Sequence, residues 1–402
     1  MTDQRAVITG IGPVSSLGLG KLPLQTALQN AQAGVQPMTK FDPGPLGFEL
    51  VAEIPEFKVT DYLFSAKTYL DHTTEVAFAA ARLAVDDAGL TPDDLAELPT
   101  GISTGTAFGS MQTATDFFAG FLEKGPRLVK PLLFPNAYSN TTASMLAIEY
   151  EARGPHFNFA SGFVAGSQAV LTGVNMIKTG RCETCLAGGF DTLSDYLLTG
   201  CELAGWVAEA DANDSNATRA APFDVNCQGF NPGEAGAILV LESLQHARKR
   251  GARIYGEISG FAESNATKPE NLWKAVKTAM IDASGHAQPD VILANANGMP
   301  ALDAAEGQAI TNFKKNIAAT AIKAQLGETF AAAGPLQVTA GACMLENNFI
   351  PATLNTQKLP STYSFDLVRE TRPSNHASCI LMNTIDPDRK STRLNSSHYR
   401  TS

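Results

Sequence analysis

Apolar runs and helical repeats alternate along most of the chain, with glycines between them. Short patterns typical of buried strands lie at residues 6–8, 101–106, 186–191, 237–242, 254–258, 291–294 and 378–382. Helical spacing of apolar positions lies at residues 22–31, 70–88, 141–150, 164–177, 243–250 and 271–283. Strands that alternate with helices in this way predict an α/β fold with a mainly parallel sheet covered by helices.

The stretch 154–177 stands out because its pattern changes twice within a few residues. A strand-like run ends at Phe159, Ser161 and Gly162 supply a tight turn, and a helical pattern follows. The next residue therefore lies at a helix N-terminus, where free N–H groups and the helix dipole favour a thiolate or an oxyanion. A nucleophile is expected at such a corner, but the residue there is Phe163.

Composition narrows the classes of partner. The 402 residues carry a formal net charge of -10, which argues against nucleic acid or an anionic membrane surface as a general partner. No apolar run reaches the length of a membrane span, and the N-terminus leads into a strand pattern without a signal peptide. We therefore expect a cytoplasmic protein.

Two local patterns are compatible with metal or cofactor binding, and both have simpler explanations. Cys182 and Cys185 have CxxC spacing, but no second ligand pair follows, so we expect all six cysteines to be free thiols. Gly10 and Gly12 begin a dinucleotide-binding pattern whose third glycine is replaced by Ser15. We expect neither a metal nor a cofactor.

The chain divides into two halves without a linker rich in proline or serine. We predict a first half at residues 1–250 and a second half at residues 251–388, packed as one compact body. Residues 389–402 are polar and break the pattern of strands and helices, so we expect a disordered or cloning-derived tail.

Glycine-punctuated segments in the middle of the chain carry a specific resemblance. They read Pro222-Phe223-Asp224, Gly229-Phe230 and Gly233-Glu234-Ala235-Gly236, followed by Val240-Leu241-Glu242 and Ala247-Arg248-Lys249-Arg250-Gly251. With these segments, nearly the whole chain resembles the beta-ketoacyl-acyl carrier protein synthases, the condensing enzymes of fatty acid and polyketide synthesis. The resemblance implies a thiolase-like fold, built from duplicated, mainly parallel sheets with helices in layers.

The family's chemistry needs a cysteine nucleophile and two histidines, and the resemblance places other residues at all three positions. The nucleophile position falls on Phe163, and the two histidine positions fall on Asn297 and Glu328. Phenylalanine has no nucleophilic atom, asparagine is neither acid nor base near neutral pH, and glutamate would repel an enolate or oxyanion. The resemblance therefore implies that no intact catalytic set is present.

Supporting residues also differ from the family pattern. The family's lysine is retained as Lys323, but its glutamate partner corresponds to Gln337. The late glycine-rich loop, which gates the site and contributes to the oxyanion hole, corresponds to Glu370-Thr371-Arg372-Pro373-Ser374. A proline and an arginine cannot reproduce such a flexible, closely approaching backbone. A relocated site that uses Ser161 and His376 stays open, although hydroxyls and single histidines are common in globular proteins.

One subunit type in the family fits these differences, the chain length factor, which keeps the fold, lacks the cysteine and pairs with a catalytic ketosynthase. The resemblance implies a heterodimer that meets the acyl carrier protein and in which this chain shapes the acyl tunnel. The pathway would be polyketide, aryl polyene or fatty acid-type synthesis. Candidate residues for the tunnel or the interface are Tyr138, Thr142, Met145, Phe157 and Phe159.

Two other functions stay open. The first is an active acyltransferase or thioester hydrolase with a non-standard site, and the second is a homodimeric acyl-binding scaffold. Covalent labelling by an acyl thioester separates the first alternative from the chain length factor, and an adjacent gene for an intact ketosynthase argues against the second.

Overall fold

The computed structural model describes residues 4–67, 69–208, 219–285, 287–375 and 377–388, together with the backbone of residues 390–397. In chain order the strands are β1 (Ala6–Ser15), β2 (Gly18–Leu19), β3 (Gln36–Pro37), β4 (Leu50–Val51), β5 (Gly101–Gly105), β6 (His156–Phe159), β7 (Thr184–Asp191), β8 (Ala235–Ser243), β9 (Gly256–Asn265), β10 (Val291–Leu293), β11 (Ala318–Thr320), β12 (Phe349–Ile350), β13 (Asp366–Leu367), β14 (Arg372–Pro373), β15 (Cys379–Ile385) and β16 (Lys390–Ser397).

The helices are α1 (Lys21–Gln29), α2 (His72–Ala88), α3 (Pro92–Glu97), α4 (Met111–Lys124), α5 (Leu133–Asn136), α6 (Thr141–Glu149), α7 (Ala165–Lys178), α8 (Asp195–Leu203), α9 (Leu244–Lys249), α10 (Leu272–Ser284), α11 (Pro300–Phe313), α12 (Lys323–Leu326) and α13 (Ala333–Asn347). Short 3-10 turns lie at Val59–Tyr62, Gly162–Val164, Pro269–Asn271 and Phe330–Ala332. No helix within these described ranges is both long and apolar enough to cross a lipid bilayer.

A mixed sheet of 12 strands runs through the molecule, and its two halves repeat one strand order. The order β6-β5-β7-β8-β1 in the first half recurs as β11-β10-β15-β16-β9 in the second, and β1 pairs with β9 where the halves meet. In each half the first three of these strands are parallel and the last two are joined antiparallel. The expected duplicated, thiolase-like α/β fold is confirmed, with parallel pairing among those three strands of each half and between β11 and the short edge strand β13.

The prediction of a disordered tail is wrong for residues 390–397. These residues form β16, whose backbone pairs with β15 on one side and with β9 on the other. This place in the second half corresponds to that of β8 in the first half, and without a strand there both neighbours would expose unpaired edges. Polar composition misleads here because the backbone bonds of a strand do not depend on its side chains. Residues 389 and 398–402 lie outside the described residues.

Helices pack on both faces of the sheet. α2 lies on β1 and β8, α10 lies on β9 and β16, and α7 packs against α13 in the middle of the molecule. Every residue of α13 from Ala333 to Leu345 is buried. The paired glycines of β1 have a packing role, because a Cβ at Gly10 would lie 2.2 Å from the carbonyl oxygen of Ala84 and one at Gly12 would lie 1.9 Å from that of Ala80. Because these two glycines have no Cβ, the backbone of α2 can lie in close contact with β1.

Candidate functional site

The predicted strand, turn and helix around Phe163 are confirmed. β6 leads into the turn Gly162–Val164, and α7 begins at the following residue. Gly162 has a φ of 76°, and a Cβ there would lie 2.1 Å from a carboxylate oxygen of Asp386, so the turn requires glycine. The backbone N–H of Phe163 donates to Asp386 Oδ2 at 2.7 Å. The backbone N–H of Phe163, which could otherwise stabilise an oxyanion at this turn, is therefore already hydrogen-bonded to Asp386.

The side chain of Phe163 is the centre of a buried cluster that we name the aromatic plug, and only 5% of it is exposed. Its ring centroid lies 5.1 Å from that of Phe330, 5.6 Å from that of Trp206 and 6.4 Å from those of Phe108 and Phe230, all with edge-to-face geometry. Phe108 and Phe330 are also in contact, at 5.1 Å. Such pairs stabilise beyond the burial of their area, by about 0.5–1.5 kcal/mol each. The plug fills the space in front of the corner with apolar rings.

A buried carboxylate, that of Asp191 at the end of β7, fixes the loops that carry the plug. It accepts hydrogen bonds from the hydroxyl of Thr106, the N–H groups of Ala107 and Phe108, and the N–H of Ala331. Burial raises the pKa of Asp191 to about 6, although these hydrogen bonds oppose the shift. Asp191 thereby ties the loops of Phe108 and Phe330 to the sheet.

Asn297 and Glu328, which the resemblance places at the family's two histidine positions, meet in the structure. Asn297 Nδ2 donates to Glu328 Oε2 at 2.6 Å, and Lys323 Nζ donates to the same oxygen at 2.7 Å. The other carboxylate oxygen accepts the N–H of Phe330 at 3.0 Å. Glu328 and Lys323 form an ion pair with side chains only 0% and 4% exposed. The expected repulsion of an anion by glutamate is thus balanced locally by the lysine.

Two carboxylates of α11 hold the turn that carries Asn297. Asp303 accepts the N–H groups of Asn297 and Gly298, and Glu306 accepts those of Asn295 and Ala296. Burial, with the charge of Glu306 adding to it, raises the pKa of Asp303 to about 7 against the effect of the backbone bonds. The orientation of Asn297 is therefore set by the backbone of its own turn rather than by Glu328 alone.

Gln337 does not contact Lys323 in any hydrogen bond among the described residues, although the resemblance places it as the lysine's partner. Its Nε2 donates to the carbonyl oxygen of Ala294 at 2.8 Å, and its Oε1 is buried without a hydrogen-bond partner. Lys323 instead binds Glu328 and the side-chain oxygen of Asn295, at 2.7 and 2.9 Å. In this chain the counter-ion of Lys323 is Glu328.

The assignment of residues 370–374 to the gating loop is wrong. Within this segment Arg372 and Pro373 form β14, which pairs with β12, and the exposed Arg372 forms an ion pair with Asp366. The segment that reaches the corner follows β15 and contains Asp386, the acceptor of the Phe163 N–H. No local pattern in the sequence indicates the contact between Phe163 and Asp386, since these residues are 223 positions apart.

Of the alternative catalytic pair Ser161 and His376, the structure describes only Ser161. The hydroxyl of Ser161 donates to the side-chain oxygen of Gln168 on α7, which is not a base. His376 lies outside the described residues. The six cysteines are free, as expected, and within the described ranges no group of three or more histidine, cysteine or acidic side chains could hold a metal ion.

The candidate tunnel and interface residues have different surroundings. Tyr138 is 52% exposed and Phe157 is 38% exposed, while Phe159 and Met145 are half-buried. Thr142 is buried and shares a hydrogen bond of 2.8 Å with Thr74 of α2. Helical spacing alone could not decide which side of α6 faces outwards. The exposed apolar residue of this helix is Ile148.

Two models of one protein family match this chain over most of its length. The N-terminal domain of beta-ketoacyl synthases matches residues 3–247, and the C-terminal domain of the same enzymes matches residues 255–357. The chain therefore belongs to the beta-ketoacyl synthase family.

Relatives at moderate identity cover nearly all of the chain. A 3-oxoacyl-acyl-carrier-protein synthase 2 of Coxiella burnetii is 30% identical over 384 residues, 92% of either chain. An actinorhodin polyketide beta-ketoacyl synthase 2 of Streptomyces coelicolor is 30% identical over 377 residues, 90% of this chain and 91% of the relative. Among solved structures, the ishigamide ketosynthase/chain length factor is similar with a TM-score of 0.91 and 27% identity, over 99% of this chain and 100% of that chain.

Proposed function

We propose that this chain is a chain length factor-like subunit, without condensing activity of its own, that pairs with a catalytic ketosynthase and shapes its acyl tunnel. The observation that carries the proposal is the aromatic plug. Phe163 offers no atom that could hold an acyl group, its ring is packed among four others, and its N–H is bound to Asp386. A solved structure with the same fold is a ketosynthase/chain length factor, which supports the choice.

The polar residues beside the plug support a structural rather than a catalytic role. Asn297, Lys323 and Glu328 are buried, and their hydrogen bonds join them to one another, to the side chain of Asn295 and to nearby backbone. A general acid or base must reach a proton of the substrate, directly or through one water molecule. A buried carboxylate that is paired with Lys323 and accepts the N–H of Phe330 is poorly placed for that task.

The surface that would meet a partner is apolar and includes the edge of the large sheet. Among the described strands, β6 pairs only with β5, so one side of its backbone is free to extend the sheet. Exposed large apolar side chains lie on α4, α5, α6, the loops between these helices, and β6 itself: Phe118, Phe121, Leu122, Leu128, Leu132, Phe134, Tyr138, Ile148 and Phe157. Obligate partners bury large apolar surfaces of this kind.

Tunnel shaping is proposed for the side chains of this surface that point outwards. Tyr138 and Phe157 are exposed there, and Met145 and Phe159 stay candidates at its half-buried margin. The acyl carrier protein would be met through the complex, in a polyketide, aryl polyene or fatty acid-type pathway.

An acyl carrier protein thioester should not acylate the isolated chain. The expectation follows from Phe163, which has no nucleophilic atom, and from the buried state of Glu328. Intact mass spectrometry after incubation with an acyl thioester measures it, with an intact ketosynthase as the positive control. A stable adduct would favour the alternative of an active acyltransferase, and its mapping to Ser161 would identify a relocated site.

A further inference from the structure

Two buried cysteines that the proposed function does not use lie next to each other at the start of β7. Cys182 and Cys185 are only 1% and 0% exposed, and both are free thiols in this structure. Cys185 belongs to β7 and lies opposite Gly101 of β5. Cys182 precedes the strand and directly follows residues 179–181, all of which are exposed. Cys182 is therefore buried at the edge of the molecule rather than deep inside it.

The sulfur atoms of both cysteines lie on the face of the sheet that α7 covers. A Cβ at Gly101 would lie 3.2 Å from Cys182 Sγ and 3.1 Å from Met176 Cε of α7. A Cβ at Gly173 of α7 would lie 3.1 Å from Cys185 Sγ. Because Gly101 and Cys185 are opposite each other on neighbouring strands, their Cβ positions point to the same face, about 5 Å apart. The sulfur of Cys182 thus occupies the space that Gly101 leaves empty, beside Cys185.

The contact between the two thiols makes them chemically unequal. The hydrogen bond with Cys185, together with one from the backbone N–H of Gly101, lowers the pKa of Cys182, although burial opposes the shift. Burial raises the pKa of Cys185 well above its usual range, and the contact with Cys182 adds to this shift. Burial also raises the pKa of both Cys201 and Cys227 to about 12. Of these four thiols, only that of Cys182 is shifted towards the reactive thiolate.

We propose that Cys182 and Cys185 are a reversible oxidation site, at which hydrogen peroxide converts the two thiols into an intramolecular disulfide. The thiolate of Cys182 attacks the peroxide, which forms a sulfenic acid and releases hydroxide. The thiol of Cys185 then attacks that sulfur, the S–S bond forms, and its proton leaves with the sulfenic oxygen as water. The hydroxide takes up the proton that Cys182 had lost, so that two thiols and one peroxide give one disulfide and two water molecules.

The position of the pair suits this chemistry and is independent of the proposed function. Hydrogen peroxide is little larger than water, so a local opening of the exposed turn at residues 179–181 is enough to admit it to Cys182. Phe163 lies before the N-terminus of α7, whereas the cysteines contact its C-terminal half, about 20 Å away along the helix. The inference therefore holds whichever function the turn at Phe163 serves.

The test follows the oxidation of each cysteine in the folded chain. The protein is treated with hydrogen peroxide, quenched in acid and unfolded, and its remaining thiols are alkylated with N-ethylmaleimide. Tryptic cleavage after Arg181 leaves both cysteines in one peptide together with Cys201, and fragmentation of this peptide locates the alkylated residues. We expect a peptide that has lost two hydrogen atoms, in which Cys201 alone is alkylated. Dithiothreitol should restore alkylation of the pair.

The rate of oxidation distinguishes this pair from an ordinary thiol. Disulfide formation should be at least about tenfold faster than oxidation of Cys227 in the same sample, because the thiolate is the reacting form and the pKa of Cys227 is raised. Cys227 is only half-buried, so greater exposure would favour the opposite order.

Three serine variants assign the roles of the two thiols. Cys185→Ser removes the resolving thiol, so peroxide should leave a sulfenic acid on Cys182 that dimedone traps. Cys182→Ser should abolish both the disulfide and the dimedone adduct. Cys227→Ser is the matched control, because it removes a more exposed thiol, and the disulfide should form at the wild-type rate. Melting temperatures show whether each variant is folded.

The wild-type time course decides the proposal even where a variant does not fold. A pair that stays fully alkylated after peroxide treatment of the folded chain overturns the inference, as does a disulfide that forms only in urea. Oxidation of Cys182 to a sulfinic acid, which dithiothreitol does not reverse, also contradicts it, because Cys185 would then not act as the resolving thiol.

Discussion

Replacing Lys323 by methionine should lower the melting temperature by roughly 5 °C, because it leaves the buried carboxylate of Glu328 without its counter-ion. Breaking a buried ion pair by removing one partner costs about 3–5 kcal/mol, whereas replacing both partners by neutral groups costs much less. The double variant Lys323→Met with Glu328→Gln should therefore recover most of the loss. Differential scanning fluorimetry at neutral pH measures both effects.

A surface ion pair supplies the matched control. Lys21 Nζ lies 3.2 Å from Glu346 Oε2, and both side chains are partly exposed to solvent. Lys21→Met should change the free energy of unfolding by less than about 1 kcal/mol, as is usual for exposed pairs. A Lys323→Met variant as stable as Lys21→Met would contradict the description of Glu328 as a paired, buried anion.

Phe163→Cys should not convert this chain into a ketosynthase. The N–H of residue 163 would still be bound to the carboxylate of Asp386, and this negative charge beside the turn disfavours a thiolate there. Asn297 and Glu328 would supply neither of the histidines that the family's chemistry needs. Since such groups act as a unit, we expect condensation at least about 100-fold below that of an intact ketosynthase.

The same substitution opens the aromatic plug, so its effect on the fold must be measured alongside its activity. Loss of the ring should cost roughly 3 kcal/mol, towards the lower end of the range for removing a buried aromatic side chain. Phe163→Leu is the matched control, because it removes the ring without adding a thiol. Condensation by Phe163→Cys at a rate near that of an intact ketosynthase, with Phe163→Leu inactive, would show that the other changes matter little.

Local features of the site could be predicted from the sequence. The strand, turn and helix around Phe163 are encoded by one short stretch, and the structure has them with the predicted order. The positions of Asn297, Lys323 and Glu328 were also identified, because each lies in a short motif. What these residues bind could not be predicted, since Asn297 and Glu328 meet only through folding, 31 positions apart.

For other elements, the pattern of apolar and polar residues does not indicate the structure or the exposure of side chains. α13 is buried all round, so its apolar positions have no helical periodicity to detect. β16 is polar and is held by backbone pairing on both sides. Thr142 and Ile148 lie on one helix, and only the packing of α6 against its neighbours decides that the threonine is buried and the isoleucine is exposed.

Co-expression with an intact ketosynthase from the same organism tests the proposed pairing most directly. Size-exclusion chromatography shows whether the two chains form a complex. Intact mass spectrometry after incubation with an acyl carrier protein thioester then shows which chain is acylated. We expect the two chains to elute together as a heterodimer, with the acyl group on the ketosynthase alone. Elution of this chain by itself, or an acyl group attached to it in the complex, would contradict the assignment of a non-catalytic chain length factor-like subunit.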